Sequence, residues 1–470
     1  MDAGTSRIKG DVLDENGKVI RSLKADTPKI ISPEPGWTEI DIEAYYLEFL
    51  KLFKSLFKGL EGYKINLGLS AMAPVFVPLS LDGKPLINGI LYNDTRSEAE
   101  IEELKRDYGD IVFRINGNPV NNQQWLPKIL WFKKNMPELY KRVWKFMDLT
   151  SYIIWRLTGE IKVDKTVALE EGFIDYKKNE LSDKMLEISG IKREVIPDVI
   201  STTDVASSFK FEENYFEINS GTVDAIAAAI SLGLIDDGMF EVTLGTTGII
   251  YYSTYKPIPN EKLYLDMSPV NGLYYMNGST SSAGSFVDFV LYILGLDSKY
   301  SMIKRSIDNS KPCSSGVIAL PYIAGERTPI FDPNARSVFF GLSTKTERSD
   351  LIRASIEAVA FSIRHNVETF KTMGYETKSI FLTGGLSKSK EVAQILADVL
   401  NSEVELKNEA SETDGDIKIA QVMSGSSWKE IKNKNFKKSK PVKPIQQNYL
   451  EYEKCFKKYI EIYERLKDLF

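Results

Sequence analysis

Two stretches far apart in the chain follow one plan. "MDAGTSRIKGDVLDENGKVI" at the start carries a Gly4-Thr5-Ser6 turn running into an alternating segment. "FEVTLGTTGIIYYSTYKP" from Phe240 carries an apolar run, a Gly245-Thr246-Thr247 turn and a second β-rich segment. This repeat constrains the fold more than any other feature, because it predicts an internally duplicated chain of two α/β halves, each with its own core. The length of 470 residues is enough for two such bodies and a cleft between them. Apolar residues lead into the second turn, whereas only Met1, Asp2 and Ala3 precede Gly4 in the first. By that comparison about five residues of leading strand are missing from the first copy, and the true start is expected upstream.

The segments between the two turns alternate in type. Arg7 to Leu23 contains Asn16-Gly17 and predicts a hairpin, "EIDIEAYYLEFLKLFKSLFKGL" from Glu39 an amphipathic helix, and "INLGLS" and "GILYND" buried strands. Pro127 to about Gly190, with "PKILWFKKN", "PELYKRVWKF" and "SYIIWRLTG", is expected to be mostly helical, a capping insertion on an α/β core. "SIFLTGG" predicts a strand ending in Gly384-Gly385 that feeds the helix "SKEVAQILADVL". Lys429 to Lys443 reads as a solvated linker, since Asn, Ser and Pro punctuate it. In the closing "YLEYEKCFKKYIEIYERL", Tyr449, Tyr452, Phe456, Tyr459 and Tyr463 fall on one face and predict the docking stripe of a terminal helix.

Composition removes several classes of function. A net charge of −5, from 60 basic and 65 acidic residues, gives no global field for nucleic acid or an anionic membrane. The longest apolar run, Val223 to Ile235, is too short to span a bilayer and contains Asp224. Cys313 and Cys455 lie far apart without metal spacing, which predicts unpaired thiols in a reducing, cytoplasmic compartment. His365, the sole histidine, sits in "RASIEAVAFSIRHNVETF" with helical apolar spacing and reads as an ordinary helix residue, so acid–base chemistry falls to carboxylates.

The chemistry points to phosphate. Backbone N–H groups freed at Gly, with Thr or Ser hydroxyls, make a concave donor site for phosphate oxygens, and two such turns can clamp one triphosphate. Asp2, just before Gly4, is placed to hold a phosphate-bound Mg²⁺, and Lys9 to meet phosphate as a point cation. Asp224 follows Ser-Gly-Thr and begins an almost wholly apolar helix, where a carboxylate is either an N-terminal cap or a chemical group at an exposed tip.

The order of "DAGTSRIKGDVLDENGKV", "PGWTEID", "LDGKPLINGILYNDTR", "PKILWFKKN", "WRLTGEIKVD", "GTVDAIAAAISLG", "VTLGTTG", "LPYIAGERTP", "SVFFGLS", "DLIRASIEAVAF" and "LTGGLSKS" resembles the FGGY family of carbohydrate kinases nearly end to end. That resemblance implies two duplicated ribonuclease-H-like domains of the actin-like ATPase type around a central cleft. Residues 1–235 would be the sugar-binding domain, 236–440 the nucleotide-binding domain and 441–470 a terminal helix. It implies ATP and Mg²⁺ as cofactors, a small-molecule sugar as partner, and leaves a homodimer open. Asp224 matches the family's catalytic aspartate and Asp2 its metal-associated one. Gly4, Thr5, Ser6 and Lys9 match its first phosphate motif, Gly245, Thr246 and Thr247 its second, and Gly384, Gly385 and Ser387 its adenosine motif. Sugar contacts are expected from Asp94, Arg96, Met72 and Trp125 beside Asp224.

Within the family the likeness is to the xylulokinase and gluconokinase branches, with three departures. Met72-Ala73-Pro74 stands where the family has Gln-Met-His, and it also lacks the Arg-Glu pair of glycerol kinases, which disfavours glycerol. Ala225 follows Asp224 where xylulokinases often carry Asn. Gly415-Asp416-Ile417-Lys418 replaces a Gly-Ala-Ala helix start, a change expected either to alter the adenine fit or to turn outward. The expectation is a ketose or pentose kinase such as a xylulose kinase. A sugar-acid or polyol kinase is the alternative within the family, and a catalytically degenerate sugar or nucleotide binder the alternative outside enzymology.

Overall fold

The structure, a computed structural model, describes residues 1–296, 300–435 and 440–470. The chain forms two compact units. The first holds Met1–Ile235, Leu265–Leu273 and Ser411–Phe436, and the second Asp236–Tyr264, Tyr274–Ala410 and Lys437–Phe470. Two stretches inside the expected 236–440 body, Leu265–Leu273 and Ser411–Phe436, therefore group with the first unit.

In the first unit a four-stranded sheet runs in the order Val19–Asp26, Arg7–Leu13, Asp2–Ala3, Ser70–Ala71. Its hairpin turns at Gly17, whose φ of 81° favours glycine. The helix Ile42–Phe57 is N-capped by Asp41, which accepts from Ala44 N at 3.0 Å. Its apolar stripe, Tyr45, Phe49, Phe53 and Leu56, is buried in the same core as Met1, Ala3 and Ile8. A second sheet orders Val205–Phe211, Asn214–Asn219 and Lys64–Leu67, and its middle strand leads into the helix Asp224–Leu232.

The second unit is built on the sheet strands Tyr274–Thr280, Gly248–Thr254, Met239–Leu244, Ser379–Thr383 and Val404–Leu406, in that order. The expected duplication is visible in how the strand before each turn is paired. Asp2–Ala3 has Arg7–Leu13 antiparallel on one side and Ser70–Ala71 parallel on the other. Met239–Leu244 has Gly248–Thr254 antiparallel and Ser379–Thr383 parallel. The terminal helix Gln446–Leu466 buries Tyr452, Phe456, Tyr459 and Tyr463 of its stripe, with Tyr449 half-buried.

Four expectations need correction. Cys313 and Cys455 form a disulfide, because docking of the terminal helix brings together cysteines 142 residues apart, and the argument for a reducing compartment loses that support. The helical reading of "PELYKRVWKF" holds only for Pro137–Tyr140, since Val143–Met147 is a strand paired antiparallel with Val77–Ser80. The lysine-rich linker is partly ordered: Trp428–Asn435 is helical and Val442 bridges Val404, while residues 436–439 lie outside the described residues. Asp416 turns inward and is buried, with the partners given below. Among the described residues no helix is long and apolar enough to cross a membrane.

Candidate active site

The first turn has its carbonyls occupied and, among the described residues, its hydroxyls free. Tyr45 donates to Gly4 O at 2.8 Å and the Thr27 hydroxyl to Thr5 O at 2.8 Å, while Gly4 N bonds Arg7 O at 3.1 Å. Ser6 is exposed and Thr5 half-buried, so both hydroxyls remain available for an anion. Asp2, only 1% exposed, lies on the strand that leads into them. Lys9 spans two carboxylates, 2.8 Å from Glu412 and 3.5 Å from Asp2. Burial pushes Asp2 up to about 6, with Glu412 adding to the shift and Lys9 opposing it.

Asp224 is brought to the same region through the strand between them. Ser70–Ala71 pairs with Asp2–Ala3 on one side, and on the other Ala71 bridges Val223 and donates to Thr222 O at 3.0 Å. Thr222 is braced by Thr166, hydroxyl to hydroxyl at 2.9 Å, and Gly221 packs where a Cβ would lie 2.7 Å from Thr150 Cβ. Val223 is the cap residue and offers no side-chain cap, so Asp224 opens the helix as its first residue. The residue is half-buried, and its carboxylate accepts from Ala225 N at 2.7 Å. Burial, then the charge of Asp2, raises it to about 7. Two neighbouring carboxylates that each disfavour ionisation are suited to sharing a cation, and Mg²⁺ bound to phosphate is one that this donor set fits.

The expected sugar residues separate into two groups. Met72 and Trp125 are buried, and among the described residues the Trp125 indole N–H has no partner, a donor lacking its acceptor. Trp125 N donates to Glu171 O at 2.9 Å, which sets it next to the end of the helix Lys165–Glu170. Asp94 and Arg96 are instead saturated by the fold. Asp94 accepts from Thr38 N at 2.5 Å and from the Arg96 backbone and guanidinium at 2.8 to 2.9 Å. Arg96 also pairs with Glu39 at 2.8 Å and lies 3.9 Å from the centre of the Trp37 ring.

In the second unit, Gly245–Thr247 joins two antiparallel strands. Its carbonyls accept from the start of the helix Gly284–Ile293: Gly284 N to Gly245 O at 2.8 Å and Ala283 N to Thr246 O at 2.9 Å. Thr246 is exposed and Thr247 half-buried. Gly384 lies against this turn's strand, where an added Cβ would be 2.5 Å from Leu244 O at a φ of 94°. Ser387 donates to Gly384 O at 2.6 Å, and Gly385 opens the short helix that contains Ser387. Both motifs thus stand at the ends of adjacent parallel strands, with Thr243 opposite Thr383.

Two residues near the site, Asp416 and Glu170, were not among those the sequence singled out for chemistry. Asp416, in the helix Glu412–Met423, has one oxygen 3.0 Å from Ser70 Oγ and 3.3 Å from the Met1 amine, and its Oδ1 has no partner among the described residues. Glu170 is held well above the usual carboxylate range by burial, then by Asp266 and Asp224. Only the departure from Gly-Ala-Ala marked Asp416 in advance, without its direction.

Duplicated α/β units, each with a donor turn after the equivalent strand, define a two-domain phosphotransferase. The FGGY family of carbohydrate kinases, N-terminal domain, matches residues 1–228, and its C-terminal domain matches residues 241–414. The chain belongs to this family, and is therefore an ATP-dependent sugar kinase by class. It is similar to a xylulose kinase of Lactococcus lactis subsp. lactis, 29% identical over 86% of this chain and 83% of the relative. It is also similar to a gluconokinase of Bacillus subtilis, 25% identical over 86% and 83%. The structure of ligand-bound xylulose kinase from Lactobacillus acidophilus superposes with a TM-score of 0.91, at 26% identity over 99% of this chain and 97% of that one.

Proposed function

We propose that the chain transfers the γ-phosphate of ATP to a hydroxyl of a neutral ketose of the xylulose type, with Asp224 as general base. The observation that carries this reading is Asp224 at a helix start beside Asp2 and the first phosphate turn, raised to about 7, where a base works near neutrality. Asp224 accepts the hydroxyl proton as the sugar oxygen bonds to phosphorus and the bridging bond to ADP breaks. Asp2 would hold Mg²⁺, which neutralises phosphate charge when bound. In the first unit Thr5, Ser6 and Lys9 offer donors suited to phosphate, and in the second Thr246, Thr247, Gly384, Gly385 and Ser387 offer donors suited to a nucleotide.

One observation favours a neutral acceptor over a sugar acid. Glu170 lies among Asp266, Asp224, Asp148 and Glu171, and burial with their charge keeps it protonated, so the region beside the base already holds more carboxyls than can ionise together. A gluconate carboxylate there would meet like charge. Acceptor-dependent ADP release should therefore give kcat/KM for xylulose at least about tenfold above gluconate. A ratio at or below one sinks the ketose assignment. ADP release no greater than the sugar-free background, with ligand binding intact, would favour the binder.

The pH profile follows from the same base. Asp224 acts deprotonated, so kcat/KM should rise through an acidic limb with an apparent pKa near 7 and be lost as pH falls below it. A flat profile from pH about 6 to 8 would remove Asp224 from this role.

A further inference from the structure

The helix Trp125–Asn135 carries a lysine with no exposed surface, Lys128. Among the described residues no carboxylate pairs with it. Its ammonium donates instead to the main-chain oxygens of Asn122 at 2.6 Å and Gln123 at 3.1 Å. A buried cation held by two neutral carbonyls is costly, and a methionine would fill the same volume without that cost. Burial accordingly lowers Lys128 to about 7, against the pull of the nearby Asp94. What the ammonium does that an apolar side chain cannot is hold two successive carbonyls inward. Asn122 and Gln123 stay half-buried at the surface, and neither carboxamide has a partner among the described residues.

The rest of this loop is braced from both ends. Asn118 holds the Leu265 main chain twice, donating to its oxygen at 2.9 Å and accepting from its nitrogen at 2.8 Å. Asn121 Oδ1 accepts from Gln123 N at 2.8 Å. At the far end Trp125 N is tied to Glu171 O at 2.9 Å, just past the helix Lys165–Glu170, whose Thr166 hydroxyl lies 2.9 Å from that of Thr222, two residues before Asp224. A braced loop with two free carboxamides is therefore fastened to the same helix that braces the segment leading into the base.

We propose that Lys128 is a positioning residue for the acceptor: by pinning the Asn122 and Gln123 carbonyls it presents their carboxamides to the hydroxyls of a neutral ketose or polyol. Each carboxamide offers both a donor and an acceptor, which matches a hydroxyl. This inference rests on the placement of the acceptor beside Asp224 given above.

The test uses the full chain. Lys128→Met should raise the acceptor KM at least about tenfold while the KM for ATP stays within about twofold, a split that general destabilisation does not produce. Hydrogen exchange of residues 117–125 should quicken in the same variant without any acceptor present. Gln123→Ala and Asn122→Ala should each raise the acceptor KM about threefold or more. Unchanged acceptor KM in Lys128→Met, or equal rises in both KM values, would overturn the proposal. If Lys128→Met does not fold, unchanged acceptor KM in both alanine variants does so. Wild-type chain without acceptor-dependent ADP release would sink the kinase reading itself, whereas loop exchange no faster than wild type in Lys128→Met sinks only the Lys128 pin.

Discussion

Asp224→Asn is expected to lower kcat by about 10²-fold or more while leaving ATP affinity within about twofold. The amide has the shape of the carboxylate, and its oxygen can still accept from Ala225 N, the 2.7 Å bond that fixes Asp224 at the helix start. What is lost is the proton acceptor. The helix Asp224–Leu232 should stay in place, because its core residues Ile226, Ala227, Ala229 and Ile230 are buried independently of Asp224. Single-turnover rates and nucleotide titration on the same preparation check both halves. Near-normal turnover would end the assignment, and parallel loss of ATP binding would move Asp224 from base to nucleotide contact.

The two Gly-Thr turns were legible in the sequence because they are local. A Gly-Thr turn between alternating segments is written in consecutive residues, and Gly4–Ser6 and Gly245–Thr247 do occupy equivalent places in two sheets. The terminal-helix stripe was legible for the same reason, since helical periodicity fixes its buried face. Long-range pairing was not. Nothing near Cys313 announces Cys455, and nothing in "DGDIK" announces that Asp416 turns toward Ser70. The strand Val143–Met147 was hidden because its aromatic run fits either period, and its pairing with Val77–Ser80 decided the matter. Asp94 and Arg96 show the converse limit: a polar pair in a suggestive motif is fully engaged by Glu39, Thr38 and Trp37, which sequence spacing does not reveal.

Gly415→Ala is expected to be the most damaging small substitution for stability. Gly415 lies inside the helix Glu412–Met423 without a positive φ, so the demand is for space. A Cβ there would lie 1.9 Å from Ala227 O and 2.5 Å from Ala227 C. Both are backbone atoms, and no rotamer change relieves the contact. Gly68 closes the other side, where a Cβ would lie 2.0 Å from Asp416 O. The helix is thus wedged against backbone on two sides, and adding a methyl must push it or the helix that begins with Asp224. Alanine's helix propensity returns only about 1 kcal/mol, against an overpacking cost of about 3 kcal/mol, leaving a net loss of about 2 kcal/mol and a Tm lower by roughly 4–8 °C. Gly109→Ala is the control, since in the helix Glu98–Asn116 the nearest atom to its Cβ is 4.0 Å away and propensity alone acts. Gly109→Ala should melt at or above the wild-type temperature. Because Ala227 lies within one turn of Asp224, Gly415→Ala should also lower kcat about tenfold at temperatures where it remains folded. Equal melting of the two variants would mean that the close approach to Ala227 does not hold this helix in place.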